Sequence, residues 1–301
     1  MTQPARFTDA QLRRGLTALA DAADLDPTGA QLIKVTNNAV WQLATAPIVI
    51  RMATTPALLH RTSTVIAVGR WLASHNVPAV RLAELPQPIT ATDGTGASWT
   101  ATTWRAEAQT DAPPTGRDLG WLLLTVHSLP PPADPLPAWE PLGDIRRRLA
   151  DAEALADDDR DVLQHLVDEL DDDLPHVRYA LPPGPIHGDA HLGNLIPTAA
   201  GVLLCDFDSA CTGPREVDLV PTAVGQLRLR RPAQVKHDLV EAYGFDVTTW
   251  SGWPVLRRLR ELKLVTSALP MLASQPAIAA RWRQRMRSLR DGDDRSWQPY
   301  A

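Results

Sequence analysis

Residues 185 to 219 read PIHGDAHLGNLIPTAAGVLLCDFDSACTGPREVDL and concentrate most of the chain's chemistry in one stretch. Asp189 precedes Asn194 by five positions, and the short apolar run Val202 to Cys205 then delivers Asp206. One turn and one hairpin therefore suffice to bring three oxygen-bearing side chains together. Such a set suits Mg²⁺, which takes hard oxygen ligands and keeps several waters, so that a carboxylate and an amide oxygen beside nucleotide phosphates are enough protein to hold it. On this reading Asn194 and Asp206 are the metal ligands. Asp189 is then left to face an acceptor hydroxyl, orient it and take its proton as a phosphoryl group moves. No cysteine pair joins His187 and His191, which argues against a zinc site.

Protein kinases carry H-R-D-L-x-x-x-N followed by D-F-G. Here the chain reads H-G-D-A-H-L-G-N followed by D-F-D, with the same spacing from Asp to Asn. Gly188 stands where protein kinases carry Arg, and Asp208 where they carry Gly. With those changes, His187, Gly188, Asp189, His191, Asn194 and Asp206 together resemble the aminoglycoside phosphotransferase and choline kinase-like family of small-molecule kinases. Gly213-Pro214 followed by Asp218-Leu219 also looks like the family's continuation, in which Asp218 would brace the catalytic loop. His187 reads as a hydrogen-bonded core histidine, and His191 either packs the loop or lies near the phosphates.

The resemblance implies an α+β, protein-kinase-like, two-lobed fold: a small β-rich lobe over residues 1–104 and a larger, mainly helical lobe over 105–301. The cleft between them would hold Mg²⁺ and a nucleoside triphosphate, ATP or GTP, as co-substrate. The reaction it implies is transfer of the γ-phosphate to a hydroxyl of a small molecule. An aminoglycoside-type antibiotic, a sugar, an amino alcohol and a nucleoside are all compatible acceptors, because fold does not decide among them.

Earlier in the chain the elements fall in the matching order. Thr8 to Gln11 fits a capping box ahead of an amphipathic helix over 9–24. Three β-prone runs follow, Leu32 to Val35, Val40 to Leu43 and Ile48 to Met52, and read as a meander. In the family the first turn lies over the nucleotide phosphates. Here it lacks glycine, so Thr36, Asn37 and Asn38 must do the turning, with Asn37 and Asn38 as phosphate-side candidates. Where the family places a phosphate-gripping cation on the third strand, usually Lys, this chain offers Arg51, whose guanidinium binds phosphate through two N–H groups. The next helix, Ala57 to Ser74, contains no acid to pair with it. Asp93-Gly94 predicts a hairpin leading into a strand from Ser98 to Trp104. By resemblance, Thr103, Trp104 and Arg105 lie where backbone groups meet the nucleobase.

Helices should dominate after Thr115: 117–129, then 232–243, 254–269 and 277–290. Residues 151 to 173 hold eleven Asp or Glu against one Arg. They read as a solvated pair of helices, the other reading being an acidic rim that attracts a cationic substrate. Arg281, Arg283, Arg285 and Arg287 likewise read as a solvated face. Glu261, Trp250, Trp253 and Trp282 are candidates for the acceptor wall or, equally, core.

A net charge of −5 over 301 residues gives no footprint for nucleic acid. The absence of a long apolar run and of a signal-peptide pattern at the start predicts a cytoplasmic protein without membrane contact. Cys205 and Cys211 read as packing residues. Oligomeric state leaves no trace in the sequence. Two other readings compete. The missing helix acid and the glycine-free turn would suit a nucleotide-binding regulatory protein without activity. A protein substrate is disfavoured by Gly188 and by the short span from Asp208 to Asp218, which leaves little room for an activation segment.

Overall fold

The computed structural model describes residues 8–35, 38–53, 56–152, 155–273 and 275–300, the side chains of 56–60 excepted. Thr36 and Asn37 therefore lie outside the described residues. The chain opens with helix α1 (Asp9–Ala22), started by the expected capping box: the Thr8 hydroxyl accepts from the Gln11 N–H at 3.3 Å, and the Gln11 side chain accepts from the Thr8 N–H at 2.7 Å.

Five antiparallel strands form the sheet of the small lobe: β1 (Gln31–Val35), β2 (Asn38–Gln42), β3 (Ile48–Ala53), β4 (Ile89–Thr92) and β5 (Ser98–Arg105), in the order β1-β2-β3-β5-β4. Helix α2 (Pro56–Ser74) runs between β3 and β4. Leu12, Leu16 and Leu19 share one face of α1 and pack with Trp41, Ile50, Met52 and Trp99 to make the first core. Gly15 sits on that same face. A Cβ there would come within 2.5 Å of the Trp99 ring, so glycine is what lets the helix approach the sheet this closely.

The larger lobe contains α3 (Gly116–Ser128), α4 (Gly143–Ala150) and α5 (Asp157–Asp173), then the short strands β6 (Gly184–Ile186), β7 (Leu195–Thr198), β8 (Gly201–Leu204) and β9 (Cys211–Gly213). Helices α6 (Glu216–Leu229), α7 (Ala233–Tyr243), α8 (Trp253–Thr266) and α9 (Pro276–Asp291) complete it. Strands β7 and β8 form the expected hairpin, and β6 pairs with β9. Val65, Val68 and Leu72 of α2 join Leu119, Leu123, Leu163 and Val224 in the second core, and so does the ring of Trp104. None of the described helices is long and apolar enough to cross a membrane.

Two expectations change. The acidic run forms one described helix, α5, and part of its charge is answered: Asp171 meets Arg146, Glu169 and Asp173 meet Arg258, and Asp159 meets Arg290. The arginines of α9 are not all solvated either. Arg285 is buried, with its guanidinium 3.6 Å from the centre of the Tyr300 ring and 5.3 Å from that of Trp297. The C-terminal residues thus fold back over α9 and cover it.

Replacing Gly15 with Val should overpack the α1 contact and cost about 1–3 kcal/mol of stability, read as a lower urea midpoint at unchanged slope. An unchanged midpoint would mean that α1 does not depend on this close approach.

Candidate active site

The loop between β6 and β7 carries Asp189, and its shape is dictated by a buried acid on α6. The Asp218 carboxylate is 0% exposed and accepts from the backbone N–H groups of His187 and Gly188, both at 2.7 Å. It also meets His127 Nε2 at 3.0 Å, whose Nδ1 faces the Tyr243 hydroxyl at 2.8 Å. Gly188 has φ +79°, and a Cβ there would run into the Ser209 carbonyl. Both facts require glycine where protein kinases carry arginine. His187 Nδ1 accepts from the Asp189 N–H at 3.3 Å, so its Nε2 donates to the Cys205 carbonyl at 2.9 Å. That ring ties the loop to the end of β8, as a core histidine would.

Asn194 is buried and donates its Nδ2 to the Asp189 carbonyl at 2.9 Å. This fixes the amide so that Oδ1 is its remaining acceptor. Asp206 follows β8 in a left-handed conformation, φ 69° and ψ 65°, a region open to few residues besides Gly, Asn and Asp. Phe207 behind it packs on the rings of Trp104 and His187.

Arg51 finds its partners here and not in α2. From β3 its guanidinium reaches across to Asp206 Oδ1 at 2.8 Å and to both oxygens of Asp208. Asn38 Nδ2 joins at 2.9 Å from Asp208 Oδ2. Burial alone would lower the Arg51 pKa, but Asp208 and Asp206 outweigh it and raise it. The missing helix acid is thus replaced by the second Asp of D-F-D. Asp206 Oδ2 has no hydrogen bond among the described residues, so this carboxylate and Asn194 Oδ1 supply the hard oxygen donors a divalent cation takes.

Asp189 is engaged too, by a residue that sequence reasoning missed. Arg260 of α8 bonds Asp189 Oδ1, and His191 Nε2 lies 3.9 Å from Oδ2. Burial pushes the Asp189 pKa up, yet Arg260 and the two histidines together hold it well below the ordinary carboxylate range. His191 is lowered by burial despite Asp189, and its Nδ1 accepts from the Gly193 N–H at 3.0 Å. It is a neutral ring with its Nε2 proton toward the carboxylate.

The strand end expected at the nucleobase behaves differently. The Thr103 N–H donates to Gln87 Oε1 at 3.1 Å and the Arg105 N–H to the Arg81 carbonyl at 2.8 Å. The Thr103 carbonyl accepts from the Ala83 N–H, and the Trp104 ring is core, its Nε1 on Thr102 Oγ1. The N–H groups of Thr103 and Arg105 are thus both taken, the first by the Gln87 side chain and the second by the segment 81–83. Glu261 is likewise structural, buried between Arg228 and Arg257, and Trp282 is core. A signal for Arg260 did exist in the sequence: with Lys263 it shares the apolar stripe of Leu256 and Leu259 at i, i+3 and i+4 spacing, an odd place for two cations.

The sequence profile of the Phosphotransferase enzyme family matches residues 30–262, most of the chain. The chain belongs to this family. It is a phosphotransferase. Its fold is shared with an amicoumacin kinase, hAmiN, solved with AMP-PNP, Ca²⁺ and Ami (TM-score 0.70, 13% identity, covering 98% of this chain and 97% of that one). It is shared also with a microcompartment-associated aminopropanol kinase (TM-score 0.70, 16% identity, 93% and 95% covered). A choline/ethanolamine kinase family protein from Mesorhizobium loti aligns at TM-score 0.62 and 15% identity over 94% of each chain. A search of curated proteins finds no match to the sequence.

If Asp218 organises the loop, Asp218→Ala should cost about 2–4 kcal/mol, since two buried N–H groups lose a charged acceptor. Asp218→Asn, which keeps one acceptor oxygen, should cost less. Equal urea midpoints for wild type and Asp218→Ala would show that the loop is held by other contacts.

Proposed function

We propose that this phosphotransferase moves the γ-phosphoryl group of ATP or GTP to the hydroxyl of a small molecule in a Mg²⁺-dependent reaction. One observation carries the reading: Asn194 is clamped through its Nδ2 to the backbone of Asp189, so that the amide oxygen, the Asp206 carboxylate and the Asp189 carboxylate belong to one rigid unit. The metal, held by Asn194 Oδ1 and Asp206, would supply charge neutralisation between the phosphates. Arg51 and Asn38, both bonded to Asp208, would turn to phosphate oxygens when these enter the cleft. Asn37 stays a candidate for the same role. The base would lie toward the chain that follows Arg105, beyond the paired edge of β5.

In the reaction the acceptor oxygen forms a bond to the γ-phosphorus as the bond to the β,γ-bridging oxygen breaks. Asp189 orients the hydroxyl and receives its proton, and the nucleoside diphosphate is the leaving group. A carboxylate kept ionised by its neighbours is always ready to accept that hydrogen bond, which suits orientation more than strong basicity.

Asp189→Ala should bind nucleotide as the wild type does and lose about 10²- to 10⁴-fold in kcat for transfer. Asp206→Ala should lose metal-nucleotide turnover altogether. Both are read by transfer of labelled γ-phosphate to hydroxyl-bearing acceptors, with folding checked by thermal melting. Near-normal turnover in a folded Asp206→Ala protein would remove Asp206 as a metal ligand.

A further inference from the structure

The side of Asp189 that faces α8 is cationic. Arg260 and Lys263 line a cavity of about 20 Å³ between the catalytic loop at Gly188 and the apolar wall made by Val217, Pro221 and Leu256. It has room for about one water when the cleft is ligand-free. Arg148 of α4 and Arg61 of α2 complete the group, with Asp144 and Asp189 as its acids. Arg61 is answered by Asp144 at 2.5 Å and Arg260 by Asp189. The side chains of Arg148 and Lys263 make no hydrogen bond or ion pair with any described residue. Neither is a solvated surface charge: burial drives both below their ordinary pKa. A cation such as Lys263, set on an apolar wall with no acid in hydrogen-bond contact, is costly unless an anion arrives to pair with it.

That anion need not be the nucleotide. The cavity at Arg51, lined also by Asn38, Thr62, Thr102 and Asp208, shares no residue with the one at Lys263. We propose that the acceptor carries an anionic group, a carboxylate or a phosphate, beside its hydroxyl on a compact carbon frame, and that this group is bound by Arg260 and Lys263, with Arg148 adding its charge from α4. The proposal rests on the phosphotransferase reading above and deepens it. It also assigns Arg260 two states. Without acceptor it pairs with Asp189; with acceptor it turns to the incoming anion, and the Asp189 oxygen it vacates takes the hydroxyl. Binding of the correct acceptor thereby frees the catalytic carboxylate. A polycationic acceptor would meet like charge at the same place, which costs affinity.

The test holds the frame constant and varies only the charge. Glycerate, glycerol 3-phosphate, glycerol and 3-amino-1,2-propanediol, with their four-carbon counterparts, are offered with Mg²⁺ and ATP or GTP, and kcat/KM is measured for each. An anionic member should exceed its neutral and cationic partners by about 10- to 100-fold, the worth of one or two charge-assisted hydrogen bonds. Carboxylate against phosphate then separates the two anions. Lys263→Met and Arg148→Gln should erase that preference through the acceptor KM while the nucleotide Kd is unchanged. Arg260→Gln should lower kcat as well, and Arg260→Lys should restore part of it. Equal or better turnover of the neutral or cationic members overturns the proposal and leaves the phosphotransferase reading standing, as does a parallel loss of nucleotide affinity in Lys263→Met. Where none of the compounds is turned over, calorimetry with malonate, inorganic phosphate and spermidine on the protein saturated with Mg²⁺ and AMP-PNP decides. Saturable anion binding lost in Lys263→Met supports it, and binding of spermidine alone, or of none, overturns it. Failure of the metal-nucleotide to bind at all would instead defeat the phosphotransferase reading.

Discussion

The site hangs from one buried carboxylate. Asp218 is removed from water, and a charge in that position is tolerable only when donors take up its oxygens. The donors it finds are the backbone of His187 and Gly188 and the ring of His127. Because two of them are main-chain groups, satisfying Asp218 also fixes the direction of the chain as it leaves β6. Gly188 then turns through a left-handed conformation against Ser209, and Asp189 emerges at one place only. Asn194 closes the unit by bonding back to the Asp189 carbonyl. The side chains that would do the chemistry are thus positioned by groups that never approach a substrate.

This explains what the sequence disclosed. The loop was legible because its constraints are local: Asp189, Asn194 and Asp206 lie within eighteen positions, and spacing along one turn and one hairpin specifies their approach. The meander and α1 were legible for the same reason, through a capping box and alternating apolar runs. What stayed hidden depends on contacts between distant segments. The partner of Arg51 lies 157 positions away at Asp208, and that of Asp189 lies 71 positions away at Arg260. Nothing in the local pattern at residue 51 distinguishes an acid on α2 from one on the far side of the cleft. The partners of the Thr103 and Arg105 N–H groups were hidden on similar grounds. The chain from 81 to 83 has no strand signature, yet it takes the hydrogen bonds along that edge of β5.

Arginine does much of the fastening in this chain, which has lysine at only three positions. Its planar fork can serve two acceptors at fixed angles, which an ammonium on a flexible stem does less well. Arg51 bridges Asp206 and Asp208 at once, and Arg228 joins Glu261 to the carbonyls of Asp293 and Arg295 while its face lies on Trp297. Arg285 does the same between the Gln298 carbonyl and the Tyr300 ring. A run of arginines therefore reads as a solvated face only until the segment that covers it is known.

The ion pairs of the cleft share one logic. Arg51 with Asp206 and Asp208, and Arg260 with Asp189, each join a cation suited to an anionic ligand to an acid suited to a cation or a hydroxyl. Removing Arg260 would take the hydrogen-bonded cation from Asp189, and removing Arg51 would take it from Asp206 and Asp208 together. The converse does not hold for Arg51: with Asp206 taken away, its guanidinium still bonds both oxygens of Asp208. The acids of the cleft therefore depend on their arginines more than Arg51 depends on either acid, and the second Asp after Phe207 is what gives Arg51 that independence.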